Sequence, residues 1–264
     1  IVHTPYAYCK RCQFGAHYPG CNLECIDFIK NTLFTKIVSP EDLSCIFMEA
    51  VQGEGGYVVP PVEFVHEMRK LTKEHGILLV VDEVQSGMGR TGKMFAIEHF
   101  GVKPDIMAIA KGIASGLPLS ITCANDEVMN WKPGAHASTF GGNPVACAAA
   151  VETISLLKSE ILENVKSVGA YLKGKLEEIG AKYEFIGDVR GLGLMLAMEI
   201  VDTKKAFNPN PDLRDKIIHM AFERGLIILG CGPNTLRFAP PLIITKNHAD
   251  MLCKVMIDIF EKVK

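Results

Sequence analysis

Three short apolar segments in the first half of the chain, each followed by an ionisable side chain, constrain the fold most strongly. They are residues 45–48, followed by Glu49; residues 76–81, followed by Asp82 and Glu83; and residues 105–110, followed by Lys111. Short, continuously apolar runs are typical of buried strands. Glu49 lies 33 residues before Asp82, and Asp82 lies 29 residues before Lys111, which is the length of a strand–helix–strand unit. The sequence therefore predicts an α/β fold with a mostly parallel sheet.

Helix and strand signals around these segments extend the predicted sheet. Within residues 60–74 apolar residues recur at three-residue steps, as in an amphipathic helix: Val62, Val65, Met68 and Leu71. Pro61 suits the first turn of this helix and Gly76 suits its C-terminal cap. Residues 119–124 follow a turn too short for a crossover, so we expect them to pair antiparallel with the preceding strand, as an edge or mixed strand.

The pattern changes in the second half of the chain. Residues 145–178 are predicted to be helical, with breaks near Ser159 and Gly169. Further helices are predicted at 212–224 and 246–262, and strands at 191–201, 225–229 and 235–238. The sequence thus predicts two domains: residues 1–159 as part of a large domain and residues 160–264 as a smaller C-terminal α+β domain.

Composition excludes several classes of protein. The 264 residues are 48% hydrophobic and carry a formal net charge of −2, so neither a disordered chain nor a nucleic-acid or membrane-surface partner is indicated. No apolar run approaches the roughly 18 residues that a membrane-spanning helix needs. Nine cysteines are an odd number at low density, which indicates a reducing compartment and predicts a cytoplasmic protein.

The ionisable residues after the strands are the first candidates for chemistry, because ligands of open α/β sheets bind beyond the carboxyl ends of the strands. Glu49, Asp82 and Lys111 are therefore expected to open into one crevice. Taken alone, a lysine or aspartate at such a position is more often a structural ion pair or a solvated charge. Four longer motifs around these residues favour a catalytic role over a structural one.

The motifs are EAVQGEGG at residues 49–56, DEVQSGMGRTG at 82–92, AKGIASGLPL at 110–119 and STFGGNP at 138–144. In this order and spacing they closely resemble the class III (ω-type) aminotransferases, such as the 4-aminobutyrate and acetylornithine aminotransferases. The resemblance covers essentially the whole chain. It implies a pyridoxal-phosphate enzyme of fold type I, which moves an amino group from an ω-amino acid such as 4-aminobutyrate to a 2-oxo acid such as 2-oxoglutarate.

The resemblance assigns cofactor roles to three residues of the first half. Lys111 matches the lysine that forms a Schiff base with pyridoxal 5'-phosphate, so the resemblance implies that Lys111 is the catalytic residue. Asp82 matches the carboxylate that pairs with the pyridine nitrogen and keeps the ring protonated. Gln85 matches the amide beside the phenolic oxygen of the cofactor. Glu49 is expected to support these groups without contacting the cofactor itself. Ala50 follows Glu49 directly, at a position where the family usually has proline.

A fourth cofactor residue implies an oligomer. Thr139 matches the threonine that reaches the cofactor phosphate of the neighbouring subunit, so the resemblance implies a homodimer or higher homo-oligomer with a shared active site. From the residues alone, Thr139 and Asn143 are also explained as caps of the helix that begins at Pro144.

Two charged residues far apart in the chain are implied to bind substrate. Arg237 matches the arginine that holds the α-carboxylate, a task suited to a planar guanidinium. Glu54 matches the residue that neutralises this arginine when the amine donor has no α-carboxylate. Each residue alone would more often be a surface charge.

Two alternatives to an aminotransferase stay open. Amino-acid racemases or epimerases of the same fold group share every motif and differ in where the proton returns. The chain is alternatively a truncated, non-catalytic domain, because the strands, the phosphate-binding turn and the ring-stacking aromatic that the family carries upstream have no counterpart here. On this pattern the sequence is expected to be a C-terminal portion of a longer aminotransferase.

Four cysteines near the start have the spacing of zinc ligands: Cys9, Cys12, Cys21 and Cys25. The surrounding segment, however, resembles one that is common in this family without any metal. The sequence therefore predicts no metal site.

Overall fold

The chain forms two compact units in the computed structural model, which describes residues 1–263. The first unit comprises Ile1–Ala50, Val59–Gln85 and Ala96–Thr153, and the second comprises Val51–Val58, Ser86–Phe95 and Ile154–Lys264. The predicted boundary at residue 159 stays a prediction. Within residues 1–263, no helix is long and apolar enough to cross a membrane.

In the first half an α-helix connects the first two strands, but only the short 3-10 segment Ala96–Phe100 lies between the second and third strands, where the spacing predicted a strand–helix–strand unit. Helices and strands are mixed in the second half. The α-helices are α1 (Glu24–Phe28), α2 (Val62–Glu74), α3 (Pro144–Leu156), α4 (Leu162–Lys182), α5 (Pro211–Glu223) and α6 (Lys246–Val263). The strands are β1 (Cys45–Glu49), β2 (Leu78–Asp82), β3 (Ile106–Ile109), β4 (Ile121–Ala124), β5 (Ile186–Leu192), β6 (Met195–Ile200), β7 (Leu229–Cys231) and β8 (Thr235–Phe238). Short 3-10 or π-helical segments are Cys9–Arg11, Ile29–Ile37, Pro40–Asp42, Ala96–Phe100, Lys111–Ala114 and Leu157–Ile161.

The sheet of the first unit confirms the predicted α/β fold. Its strand order is β1-β2-β3-β4, with β1, β2 and β3 parallel and β4 antiparallel at the edge. Glu49 of β1 lies opposite Asp82 of β2, and Asp82 lies opposite Ala108 of β3. The register therefore aligns the carboxyl ends of the three parallel strands, as parallel pairing requires.

Helix α2 connects β1 and β2 as the apolar spacing predicts. It begins at Val62, directly after Pro61, and ends at Glu74 with His75 as its C-cap, after which Gly76 has a left-handed backbone with φ +67°. Its buried face consists of Phe64, Val65, Met68, Leu71 and Thr72. Burying these apolar side chains, at roughly 1.5–3 kcal/mol for each large one, holds the helix against the sheet.

An ion pair ties α2 to the amino-terminal end of β3. The Arg69 guanidinium donates to both carboxylate oxygens of Asp105, at 2.5 and 2.8 Å, and the Leu79 backbone N–H donates to the same carboxylate at 2.8 Å. The Asp105 side chain is only 13% exposed. The hydrogen bond from Arg69 lowers the pKa of this carboxyl below its ordinary value.

Replacing Asp105 by asparagine is expected to destabilise the fold by about 3 kcal/mol, because a half-buried Arg69 then loses its charged partner. Since the pKa of Asp105 is lowered on folding, its stabilisation is fully present above about pH 4, the unfolded pKa, and is lost as the pH falls through the lower folded pKa. Urea unfolding between pH 7 and pH 3 measures both effects. The exposed Asp126→Asn is the control; equal curves for the two variants would contradict the prediction.

The second unit is built on an antiparallel sheet with the strand order β5-β6-β8-β7. Every residue of the central strand β6 is buried. Helices α4, α5 and α6 cover this sheet with apolar faces, and the core between helices and sheet includes the fully buried side chains of Leu172, Leu176 and Phe260 from the helices and Phe238 from β8. This arrangement is the predicted α+β class.

Two strand predictions in this unit are wrong. Residues 191–201 form the end of β5, a turn and β6 rather than one strand, because Gly193 has φ +55° and reverses the chain. The prediction missed the turn because Leu194 within it is as buried as the strands. Residues 225–228 are not a strand either: β7 begins at Leu229, after Gly225 with φ +75°.

The predicted helix break near Gly169 is also wrong, since α4 continues through that residue. A Cβ atom at Gly169 would lie within 2.4 Å of the Gly193 carbonyl oxygen, so this glycine permits close packing of the helix on the hairpin turn. The break predicted near Ser159 corresponds to the π-helical segment Leu157–Ile161 between α3 and α4.

Candidate active site

The carboxyl end of β2 presents Asp82 with one carboxylate oxygen available to a ligand. Oδ1 accepts the Val84 backbone N–H at 2.8 Å, which fixes the side chain in a tight turn. Within residues 1–263, Oδ2 accepts no hydrogen bond. Asp82 is half-buried, so this oxygen is oriented and still accessible.

Lys111 follows β3 and begins the 3-10 segment Lys111–Ala114. Its backbone is left-handed, with φ +46°. This conformation costs energy for a residue other than glycine, and such residues cluster at active sites and ligand-binding sites. The side chain is exposed, and its amine makes no hydrogen bond or ion pair within the described residues. Lys111 is therefore available for chemistry beside the neighbouring end of β2.

Glu49 occupies the equivalent position on β1 and has an unexpected neighbour. Its backbone N–H donates to the Tyr6 hydroxyl oxygen at 2.9 Å. Burial raises the pKa of Tyr6, and the charges of Glu49 and Asp82 raise it further. Tyr6 thus stays a neutral hydroxyl at this edge of the sheet, and no sequence signal distinguished it from other tyrosines.

Glu83 has a structural role. It is 1% exposed, and its carboxylate accepts the backbone N–H groups of Ala96 at 3.0 Å and Ile97 at 2.8 Å. These bonds satisfy the first turn of the 3-10 segment Ala96–Phe100. Adjacent residues of an extended chain point to opposite sides, which explains why Asp82 and its neighbour differ in role.

The remaining cofactor candidates of the first unit lie in loops. Gln85 is half-buried in the turn after Asp82, and Thr139 is exposed in a segment whose residues 130–145 are all exposed. Asn143 caps α3, because its Oδ1 accepts the backbone N–H groups of Val145 and Ala146 at 3.0 and 3.2 Å. Thr139 takes no part in that cap within the described residues.

Glu54 and Arg237, 183 residues apart, form an ion pair in the second unit. The Arg237 Nη1 donates to the Glu54 Oε1 at 2.5 Å. The Glu54 side chain is 68% exposed, whereas that of Arg237 is 18% exposed. Burial alone would lower the pKa of Arg237, but the hydrogen bond and charge of Glu54 outweigh it and the pKa is raised. Arg237 is thus a largely buried cation, and its counter-ion is the exposed carboxylate of Glu54.

Residues 14–260 match the family model of the class-III aminotransferases. The chain belongs to this family. Membership in this family confirms two predictions: fold type I, and pyridoxal phosphate as the cofactor.

Similar proteins include both aminotransferases and racemases. A leucine/methionine racemase of Thermococcus litoralis is 42% identical over 95% of this chain and 57% of its own length. A 4-aminobutyrate aminotransferase of Escherichia coli is 41% identical over 88% of this chain and 55% of its own. A PLP-bound amine transaminase structure from an uncultivated Pseudomonas species has 31% identity and a TM-score of 0.89, over 98% of this chain and 60% of its own. The chain thus spans less than two thirds of the length of each of these proteins.

The residues present fit the cofactor of the class-III aminotransferases. The available Asp82 Oδ2 is a charged acceptor suited to a protonated ring nitrogen. The exposed Lys111 amine is a nucleophile suited to an aldehyde. Both groups lie at the carboxyl edge of one parallel sheet, where ligands of such sheets bind.

The four cysteines near the start lie around a small cavity. Cys9, Cys12, Cys21 and Cys25 line it together with aromatic residues. Burial raises the pKa of the Cys25 thiol to about 11 and also raises that of Cys9, so both favour the neutral thiol. Among residues 1–263, no group of three or more His, Cys, Asp or Glu side chains is arranged to hold a metal ion.

Proposed function

We propose that this chain forms the catalytic part of a pyridoxal-phosphate aminotransferase. It moves an amino group from an amine donor such as 4-aminobutyrate or another ω-amino acid to a 2-oxo acid such as 2-oxoglutarate. The observation that carries the proposal is the placement of two available groups, the Lys111 amine and the Asp82 Oδ2, at one sheet edge of a class-III family member. When bound, pyridoxal phosphate supplies an aldehyde that condenses with amines and a protonated ring that accepts electrons.

Three residues of the first unit have separate roles in this proposal. Lys111 would hold the cofactor through its amine, and the Lys111 Nζ would take up the proton removed from the substrate Cα. Asp82 holds the proton on the ring nitrogen through its charge. Gln85 would donate a hydrogen bond from its amide on the side of the ring that carries the phenolic oxygen. The tight turn at Val84 keeps the Asp82 carboxylate oriented for this task.

The ion pair of the second unit selects between substrates. An α-carboxylate displaces the exposed Glu54 side chain and binds the Arg237 guanidinium through two hydrogen bonds. A donor that lacks an α-carboxylate leaves the pair intact, so no cation is left without a partner. One site can therefore accept both kinds of substrate in turn.

A homodimer with a shared active site and a cytoplasmic location are part of this proposal. Thr139 and its exposed surroundings, in which Phe140 is 84% exposed and Trp131 is 55% exposed, form a surface suited to burial by a second copy. In such a dimer Thr139 would bind the cofactor phosphate of the neighbouring subunit.

The test is amino transfer by the purified protein. With pyridoxal phosphate, 4-aminobutyrate and 2-oxoglutarate, we expect glutamate to form, and initial rates to give the parallel lines of a ping-pong reaction. Other ω-amino acids serve as alternative donors. If no amine donor yields glutamate although pyridoxal phosphate becomes attached to Lys111, the transfer reaction is wrong.

Racemisation is the second candidate, because the leucine/methionine racemase of Thermococcus litoralis shares 42% identity with the chain. A racemase needs no 2-oxo acid. Incubating single enantiomers of leucine, methionine and alanine in deuterium oxide without any acceptor would then give both enantiomers with deuterium at Cα. Amino transfer predicts no such conversion without acceptor. If neither reaction nor attachment of the cofactor occurs, the third alternative, a non-catalytic domain, holds.

A further inference from the structure

The loop of residues 53–58 carries Glu54 and is attached to the antiparallel β-structure of the second unit at Glu54 itself and again at Gly56. The Glu54 carbonyl oxygen accepts the Gly232 backbone N–H at 2.6 Å. Two residues later, the Gly56 carbonyl oxygen accepts two hydrogen bonds from Arg190, from Nε at 2.9 Å and from Nη2 at 2.7 Å. The backbone that bears the Glu54 carboxylate is therefore fixed by the second unit's own sheet.

Arg190 is itself held by a network of buried acceptors. Its Nη1 donates to the Glu199 Oε2 at 2.6 Å and to the Asp188 Oδ2 at 3.0 Å, and its Nη2 donates to the Thr235 Oγ1 at 3.1 Å. The Glu199 side chain is 0% exposed. A carboxylate this deeply buried requires a paired cation, so Arg190 has one strongly favoured position.

The fit between the arginine and the loop is close. Gly56 has φ +120°, and a Cβ atom there would lie 3.1 Å from the Arg190 Nη2. Only a residue without a side chain both adopts this backbone readily and lets the guanidinium reach the carbonyl oxygen. The loop sequence thus matches the position of Arg190.

The same network reaches the partner of Glu54. Thr235 and Arg237 both belong to β8 and are two residues apart, so their side chains lie on the same face of the strand. Arg190 therefore contacts the loop two residues after Glu54 and the strand two residues before Arg237. It fixes both halves of the ion pair relative to each other.

We propose that Arg190 is a positioning residue that sets the preference between amine donors with and without an α-carboxylate, by holding Glu54 against Arg237. The inference rests on the proposed function of that pair. An ion pair whose carboxylate is 68% exposed contributes little when its loop is free, because ordering the loop costs entropy. Fixing the backbone in advance removes that cost, so the pair persists until an α-carboxylate displaces Glu54.

The test compares two substrates in Arg190→Lys and in the milder Thr235→Val. Loosening the loop frees Arg237 for α-carboxylates, so we expect the ratio of kcat/KM for L-glutamate to kcat/KM for 4-aminobutyrate to rise about five- to tenfold, mostly through KM. This is the lower part of the typical range for coupling between sites. Glu54→Gln should raise the same ratio further. Arg190→Lys should then add nothing to Glu54→Gln, because a residue that acts through another has no effect once that other is removed.

A binding measurement gives a second readout without catalysis. Glutarate, a dicarboxylate without an amine, is titrated into the protein by calorimetry. We expect it to bind several-fold more tightly in Arg190→Lys and Glu54→Gln and to lose most of its affinity in Arg237→Gln. Arg224→Lys is the matched control: this arginine pairs with Asp258 and with the Met220 carbonyl oxygen in the same unit, so neither readout should move even if stability falls.

The outcomes separate the inference from the proposed function. If Glu54→Gln shifts the substrate ratio while Arg190→Lys and Thr235→Val do not, Arg190 is only structural and the inference is overturned. An additive effect in the double variant overturns it as well. If Arg190→Lys does not fold, Thr235→Val, which removes one hydrogen bond, decides the question. Failure of amino transfer would refute the proposed function, and the glutarate titration would still decide whether Arg190 acts through Glu54.

Discussion

Replacing Lys111 by alanine is expected to abolish covalent attachment of pyridoxal phosphate and to lower the rate of amino transfer by at least about 10³-fold, as removal of a catalytic nucleophile does. The reason is that the Lys111 amine is exposed and unpaired within the described residues at the carboxyl end of β3. Borohydride reduction fixes any attached cofactor as a stable amine, and peptide mass spectrometry then locates it. We expect the label on Lys111 in the parent protein and no label in the variant.

The control uses a lysine at the other end of the same strand. Lys103 lies just before β3 and is exposed, so Lys103→Ala removes the same charge and should keep both the label on Lys111 and the activity. Retention of a specific label in Lys111→Ala, or its loss in Lys103→Ala, would contradict the assignment.

The fold of the Lys111 variant should be unchanged, which makes the result interpretable. The side chain contributes no ion pair within the described residues, and alanine meets the same steric cost as lysine at φ +46°. Thermal unfolding is therefore expected at the same temperature as in the parent protein. A loss of labelling then reports chemistry rather than unfolding.

The first sheet was predictable because its signals are local. The apolar runs that become β1, β2 and β3 and the three-residue spacing of α2 are each contained in a short window of sequence. The hairpin of β5 and β6 was not predictable, because the end of β5, the turn and the start of β6 form one run of glycine and apolar residues, residues 191–198. Gly169 was misinterpreted for a related reason: its role depends on Gly193, which is distant in sequence.

The site was predictable in part. Strand ends alone indicated Glu49, Asp82 and Lys111, but the pairing of Glu54 with Arg237 followed only from the family resemblance, since no local pattern links residues so far apart. Glu199 offered a signal that sequence analysis did not use. It is the charged residue in the otherwise apolar strand β6, and a buried carboxylate implies a cation nearby; Arg190 is that cation.

Replacing Asp82 by asparagine is expected to lower kcat about 10²- to 10⁴-fold while the cofactor still attaches to Lys111. Asparagine retains an oxygen that accepts the Val84 N–H, so the turn persists, but it has no charge to hold a proton on the ring nitrogen. Activity assays and borohydride labelling measure the two effects separately. Loss of labelling together with activity would mean that Asp82 serves to bind the cofactor and not to tune it.

The neighbouring carboxylate provides the matched comparison. Glu83→Gln makes the same change of charge one residue away, but Glu83 is buried and bonded to the backbone of Ala96 and Ile97. We therefore expect Glu83→Gln to lower the unfolding temperature, by the equivalent of about 1–3 kcal/mol for a weakened buried hydrogen bond, and to keep kcat. A lower kcat in Glu83→Gln together with a lower unfolding temperature in Asp82→Asn would contradict the roles given to these residues.

A cofactor analogue can test the charge of Asp82 directly. N-methylated pyridoxal phosphate carries a fixed positive charge on the ring, so it needs no carboxylate to stay charged. The Asp82→Ala variant leaves room for the methyl group. With the analogue, this variant should regain part of the activity that it loses with ordinary pyridoxal phosphate. In the parent protein the analogue should offer no advantage, because on the proposed role the Asp82 carboxylate would already keep the ring protonated. Rescue confined to the variant would show that the carboxylate acts through its charge on the ring nitrogen.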